Sequence, residues 1–144
     1  MENTIEFLKE IVKKLESNSI YTIVFGGWAR ELNNLCEPRN HKDIDLLWVS
    51  DDFSLVDDFI FNFKIKEITE KRFSHKRAFI YKGIVVEIFL IRSENGHYSS
   101  IFFETLTLQW PSTLFKEMNG FRVAMPEVID WYEDQHSKIE AFRI

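Results

Sequence analysis

An α/β (α+β) chain, with a mixed β-sheet flanked by helices and a closing C-terminal helix, is predicted by three observations. The first 61 residues read as helix, strand, helix, strand, helix. The middle is a series of β-branched and aromatic runs separated by turn dipeptides, and Pro126 opens a last helical stretch. The length of 144 residues suits one domain, residues 1–144, large enough for one core without staples.

Each element has its own reason. Residues 4–16 place Ile5, Leu8, Ile11, Val12 and Leu15 at helical spacing, with Asn3 or Thr4 as cap and Asn18-Ser19 as terminator. Residues 20–25 form a β-branched and aromatic run, hence a buried strand. Gly26-Gly27 ends it, and Trp28 to Leu35 form a short helix. Residues 44–49 read as a second strand, after which Ser50-Asp51-Asp52 caps a helix to about Phe61. Residues 64–70 alternate loosely. Residues 77–82 and 84–91 predict a hairpin around Lys82-Gly83. Asn95-Gly96 and Asn119-Gly120 are strong turn signals, the second joining 113–118 to Phe121–Met125. Pro126 suits the first turn of a helix over 126–142.

Composition narrows the function. Fourteen Phe among 15% aromatic residues predict a core packed with rings. No stretch approaches the roughly 20 apolar residues of a membrane helix, and no secretory signal is visible. One cysteine, Cys36, excludes an internal disulfide and fits a cytoplasmic location; it reads as a small buried residue. A net charge of -5 argues against nucleic acid as main partner, yet leaves room for an anionic ligand on a local basic cluster.

Asp43 and Asp45 flank Ile44 at the start of a strand, so both face the same way while Ile44 and Leu46 face the core. Two adjacent carboxylates repel, and a hard divalent cation removes the conflict. Glu87 interrupts the apolar run Val85-Val86-Glu87-Ile88-Phe89, where a charge is costly unless paired. Three such acids on neighbouring strands would make a two-metal centre. Taken alone, Asp-Ile-Asp is most often a solvated strand end, and a lone Glu an edge residue facing water. Gly26-Gly27, between strand and helix, lets backbone approach a phosphate, or is an ordinary tight turn. Arg39, His41 and Lys42 add local positive charge, or form a solvated loop. Trp28 reads as packing beneath the loop. A zinc site lacks ligands and a serine-hydrolase elbow is absent.

The Gly-Gly turn, short helix, Asp-x-Asp strand and later carboxylate resemble the DNA polymerase β-like nucleotidyltransferase superfamily. Gly26-Gly27-Trp28-Ala29 with Glu31, Arg39-x-His41 and Asp43-Ile44-Asp45-Leu46 look like its small lincosamide and aminoglycoside 2''-nucleotidyltransferases. The strong part covers residues 24–49; a weaker likeness continues through Glu87 and residues 125–132. The resemblance implies a nucleotidyltransferase-like fold and an enzyme using Mg²⁺ or Mn²⁺. It moves a nucleoside monophosphate from an NTP, ATP foremost, to a hydroxyl of a small molecule such as an aminoglycoside or lincosamide antibiotic. It also implies Asp43, Asp45 and Glu87 as catalytic and metal residues, with Gly26, Gly27, Arg39 and His41 toward the nucleotide. Many relatives carry Asp where Glu87 stands, and the helix after Trp28 lacks its usual terminal glycine. Little helical material follows Lys138, so an acceptor wall borrowed from a second subunit, as in a homodimer, is a further expectation. Two alternatives stand beside it: a protein-modifying (AMPylating) antitoxin-like enzyme, and a catalytically silent nucleotide-binding domain.

Overall fold

The computed structural model describes residues 2–143. Helix α1 (Ile5–Glu16) is capped by Thr4, whose hydroxyl accepts from the Phe7 N–H. Its stripe of Phe7, Leu8, Ile11, Val12 and Leu15 is buried, and left-handed Ser19 closes it, the Ile20 N–H donating back to Leu15.

Strand β1 (Thr22–Phe25) leads directly into α2 (Gly26–Leu32), which therefore starts at the glycines and not at Trp28. No glycine ends α2. Asn34 takes the left-handed conformation instead (φ 58°), and the Leu35 N–H donates to Arg30. The missing terminal glycine is thus replaced by asparagine, which among residues with a side chain best tolerates that geometry. Strand β2 (Asp43–Val49) follows, then α3 (Ser54–Asn62), at whose start Asp52 accepts from the Ser54 N–H.

The loosely alternating stretch resolves into a two-residue strand, β3 (Lys66–Glu67), and a 3-10 turn, Thr69–Lys71. Strands β4 (Lys76–Tyr81) and β5 (Ile84–Glu94) form the expected hairpin. Its Lys82-Gly83 turn has both residues at positive φ, the geometry that matches strand twist. Asn95-Gly96 turns β5 into β6 (His97–Phe102), which pairs with β7 (Leu106–Gln109). Strands β8 (Phe115–Met118) and β9 (Phe121–Ala124) form a further hairpin, and α4 (Pro126–Glu140) follows with Pro126 in its first turn.

The sheet runs β3-β4-β5-β2-β1-β9-β8, with β6 and β7 as a flap continuing from the far end of β5. At its centre β2 is antiparallel to β1 and parallel to β5. Alternation then assigns the faces. Ile44, Leu46, Phe79, Val86 and Ile88 are fully buried on one face. There Phe59 of α3 meets Phe79, and Phe7 of α1 meets Tyr81. The opposite face carries Asp43, Asp45 and Glu87, and beyond them an aromatic layer. Tyr132 of α4 sits edge-on to Phe25 and Phe89 at 5.2 and 5.8 Å and stacks parallel to Trp110. The abundance of phenylalanine foreseen for the core is therefore spent on both faces. Among the described residues no helix is long and apolar enough to cross a membrane.

Candidate active site

The three acids meet. Asp45 of β2 lies directly beside Glu87 of β5 in the parallel register, and Asp43 stands two residues earlier on the same face. One oxygen of each lies within 4.8 Å of the others. Glu87 is 7% exposed on an interior strand, so it is no edge residue facing water. Val86 and Ile88 point away from it into the other layer with no exposure at all.

Crowding sets the electrostatics. Burial, and then the charges of Asp43 and Glu87, push the Asp45 carboxyl up to about 7, against weaker opposition from Lys76 and Lys71. Asp43 is raised by burial and by Glu87. Burial also pushes Glu87 upward, but hydrogen bonds and charge from Lys76 and Lys71 overcome it and hold this carboxyl below the ordinary range. Lys76 Nζ is 2.9 Å and Lys71 Nζ 3.4 Å from Glu87 Oε1. The triad, with Glu87 buried and the two aspartates half-buried, crowds carboxylate oxygens against one another, an arrangement that suits a hard divalent cation with oxygen ligands.

The glycine turn lies against this triad. Gly26 has φ +58°, and a Cβ there would overlap the Asp45 carboxylate. A Cβ on Gly27 would come within 2.9 Å of His41 Nδ1 and 3.0 Å of the Arg39 guanidinium. Both positions thus need a bare backbone, one for its conformation and both for space. Gly26→Ala is expected to cost about 1–3 kcal/mol in stability. It should also displace Asp45, so that Mn²⁺ binding weakens; thermal melts and calorimetry check both.

A brace holds the loop between α2 and β2. Burial pushes Glu31 up, but hydrogen bonds from His41 and the Arg39 N–H bring it below its ordinary range, so it is an acceptor. His41 Nε2 donates to Glu31 Oε1 at 2.9 Å, and the Arg39 N–H donates to the same oxygen. The His41 ring packs on Trp28 at 4.2 Å, and Trp28 Nε1 donates to Asn3 Oδ1. Asn3 Nδ2 in turn donates to the backbone carbonyls of His41 and Asp43. His41, 9% exposed, is built into this chain of contacts, whereas Arg39 is exposed. The geometry favours bracing for His41 and leaves Arg39 free to reach a ligand. Trp28 packs beneath the loop, as expected; Cys36 is only half-buried, not buried, and has no part in the site.

Beside Asp45 a cleft of about 470 Å³ opens between α2 and α4. Gly26, Gly27, Asp45, Phe89, Tyr132 and His136 line it, and an Arg30–Glu133 ion pair crosses its rim. Lys71, Lys76 and Glu133 belong to this region, yet none had a distinguishing signal in the sequence, and Asn3 was readable only as a helix cap, a role that Thr4 takes instead. Lysine in a strand or turn and glutamate on a helix are ordinary surface residues until the fold brings them to a carboxylate or a cleft.

No protein-family profile matches the chain, and no curated protein sequence matches it. Solved structures do. The lincosamide antibiotic adenylyltransferase LnuA, solved with lincomycin bound, aligns at TM-score 0.74 with 16% identity, covering 99% of this chain and 98% of that one. ANT(2'')-Ia aligns in two structures. Its crystal structure in complex with adenylyl-2''-tobramycin gives TM-score 0.65 and 14% identity over 96% of this chain and 84% of that chain. Its solution structure gives 0.69 and 15% over 99% and 83%. The chain has the nucleotidyltransferase fold. Among these structures it is similar over almost its whole length to LnuA.

Proposed function

We propose that the chain is a divalent-metal-dependent nucleotidyltransferase. In this reading it transfers the nucleoside monophosphate of an NTP, ATP foremost, to a hydroxyl group of a small molecule, with aminoglycosides and lincosamides as the acceptors to test. One observation carries it: Asp43, Asp45 and Glu87 converge within 4.8 Å beside a glycine turn that has no room for a side chain. The lincomycin bound to LnuA and the adenylyl-2''-tobramycin bound to ANT(2'')-Ia support the choice of acceptors.

Mg²⁺ or Mn²⁺ held by Asp43, Asp45 and Glu87 would supply positive charge to the phosphoryl oxygens during the displacement. The chain's own residues do the rest. Gly26 and Gly27 admit the triphosphate close to the backbone. Arg39, exposed beside Gly27, pairs with phosphate, while His41 and Trp28 keep the loop in place. The cleft bounded by Phe89, Tyr132 and His136 receives the acceptor next to Asp45. Glu87 accepts the proton of the attacking hydroxyl. That oxygen bonds to the α-phosphorus, the bond to the bridging oxygen breaks, and pyrophosphate leaves.

Incubation with Mg²⁺, ATP and a panel of hydroxylated antibiotics, read by mass spectrometry, tests the proposal. A gain of one adenylyl group on an acceptor is expected, with ATP binding that EDTA abolishes in calorimetry. Transfer to no acceptor, together with equal ATP affinity with and without EDTA, would overturn it.

A further inference from the structure

Glu87 has one more side-chain torsion than either aspartate and approaches them from another strand, so something must fix its carboxylate. Both ammonium groups that reach it use one oxygen, Oε1. Among the described residues Oε2 accepts no hydrogen bond. The two lysines are not equivalent. Lys76 is placed by β4, where it pairs with Phe89, two residues beyond Glu87 on β5. Its Nζ lies 2.9 Å from Oε1 and 5.0 Å from the centre of the Phe89 ring, and its side chain is 19% exposed. Lys71 comes from the 3-10 turn, stands 3.4 Å away and is 40% exposed.

An ammonium held between a carboxylate and a ring face is fixed in direction. It also repels any cation placed on the same carboxylates. A residue present only to strengthen a cation site would not be a lysine here. We infer that Lys76 is the positioning residue for Glu87: it holds Oε1 so that Oε2 is left for the reacting hydroxyl, and it does so at some loss of cation affinity. The inference rests on the nucleotidyltransferase reading.

Lys76→Met separates the two effects because they have opposite signs. Mn²⁺ affinity, measured by calorimetry on the nucleotide-free protein, should rise at least about threefold, since a nearby positive charge is gone. Turnover should fall at least about tenfold with the KM for ATP nearly unchanged, since a misplaced reacting group costs rate more than binding. Lys76→Arg should restore most of the turnover and the original Mn²⁺ affinity. Lys71→Met should change turnover less than Lys76→Met does. If Lys76→Met does not fold, Lys76→Gln removes the charge while keeping a donor and should show the same tightening of Mn²⁺. Wild-type protein that binds neither Mn²⁺ nor ATP would overturn the functional reading and this inference with it. Wild-type binding and transfer, with Mn²⁺ affinity unchanged or weakened in the uncharged Lys76 variants, or with Lys71→Met as damaging as Lys76→Met, would overturn the inference alone.

Discussion

Asp45→Asn is expected to abolish nucleotidyl transfer and, in metal-free protein at pH 8, to raise the melting temperature. Loss of transfer follows from removing the central member of the acid triad. The gain in stability follows from linkage. The folded-state carboxyl of Asp45 is raised by burial and by its two acidic neighbours to about 7, well above its unfolded value. A raised carboxyl contributes stability that is complete below the unfolded pKa and is lost as pH rises through the folded one. Metal-free wild-type protein should therefore lose stability between about pH 4 and pH 7 on this account. Asparagine, nearly isosteric and uncharged, should remove that decline. Thermal melts from pH 4 to pH 8 in EDTA check it, with the two proteins converging at the acid end. Mg²⁺ should raise the wild-type melting temperature above pH 7 by binding the folded state, and raise that of Asp45→Asn little. A large fall in stability for Asp45→Asn at pH 8 would make Asp45 a structural residue and favour a silent domain.

Glu87→Gln should behave in the opposite way. Here the carboxyl is held below its ordinary range, because the effect of Lys76 and Lys71 exceeds that of burial. A lowered carboxyl gives stability above the unfolded pKa that is lost as pH falls through the folded one. The amide should therefore lower the melting temperature at neutral pH and leave Lys76 short of its counter-charge. If Glu87 accepts the proton from the attacking hydroxyl, turnover should fall by about 10²–10⁴-fold while ATP binding stays largely intact. Initial rates beside calorimetric ATP titrations measure the two separately. A loss of rate no larger than the loss of Mn²⁺ affinity, and restored by saturating Mn²⁺, would make Glu87 a metal ligand only. No change in either would remove it from the site. Two carboxylates adjacent in register are thus expected to shift stability in opposite directions on neutralisation, because only Glu87 accepts hydrogen bonds from the two lysines, which act on Asp45 at longer range and more weakly.

The parts of this arrangement that were legible in the sequence are those governed by local rules. Strand alternation placed Asp43 and Asp45 on one side and Ile44 and Leu46 on the other, and the β2 burial pattern agrees. Each Asn-Gly or Lys-Gly turn was readable because so few residues tolerate positive φ. The start of α2 was not: a glycine pair reads as a break, and only the sheet beneath it shows that the helix begins there. The 3-10 turn at Thr69–Lys71 was equally invisible, being held by tertiary contacts. Arg72 beside it bonds Glu67 and Asp57, and Asp57 also bonds Arg77. Its apolar neighbours marked Glu87 as a charge in need of a partner, but read alone it suited an edge strand facing water, and only the family resemblance put it with the aspartates. That its company includes Lys71 and Lys76 could not be anticipated, because their place depends on how β4 lies against β5.

Asp45 and Glu87 are neighbours in space but 42 residues apart in the chain, joined by a parallel ladder with β3 and β4 formed in between. Contacts of that kind are slow to form, because the entropy of closing a long loop precedes any reward from pairing. The hairpins at Lys82-Gly83 and Asn119-Gly120 can form early and locally; the acid triad exists only once β2 has docked on β5. On the proposed metal-dependent reading, cation binding should then be a marker of completed folding, and a bound ion should act on the lifetime of the native state by slowing its unfolding. It has little to grip in the chain that is still finding its way there.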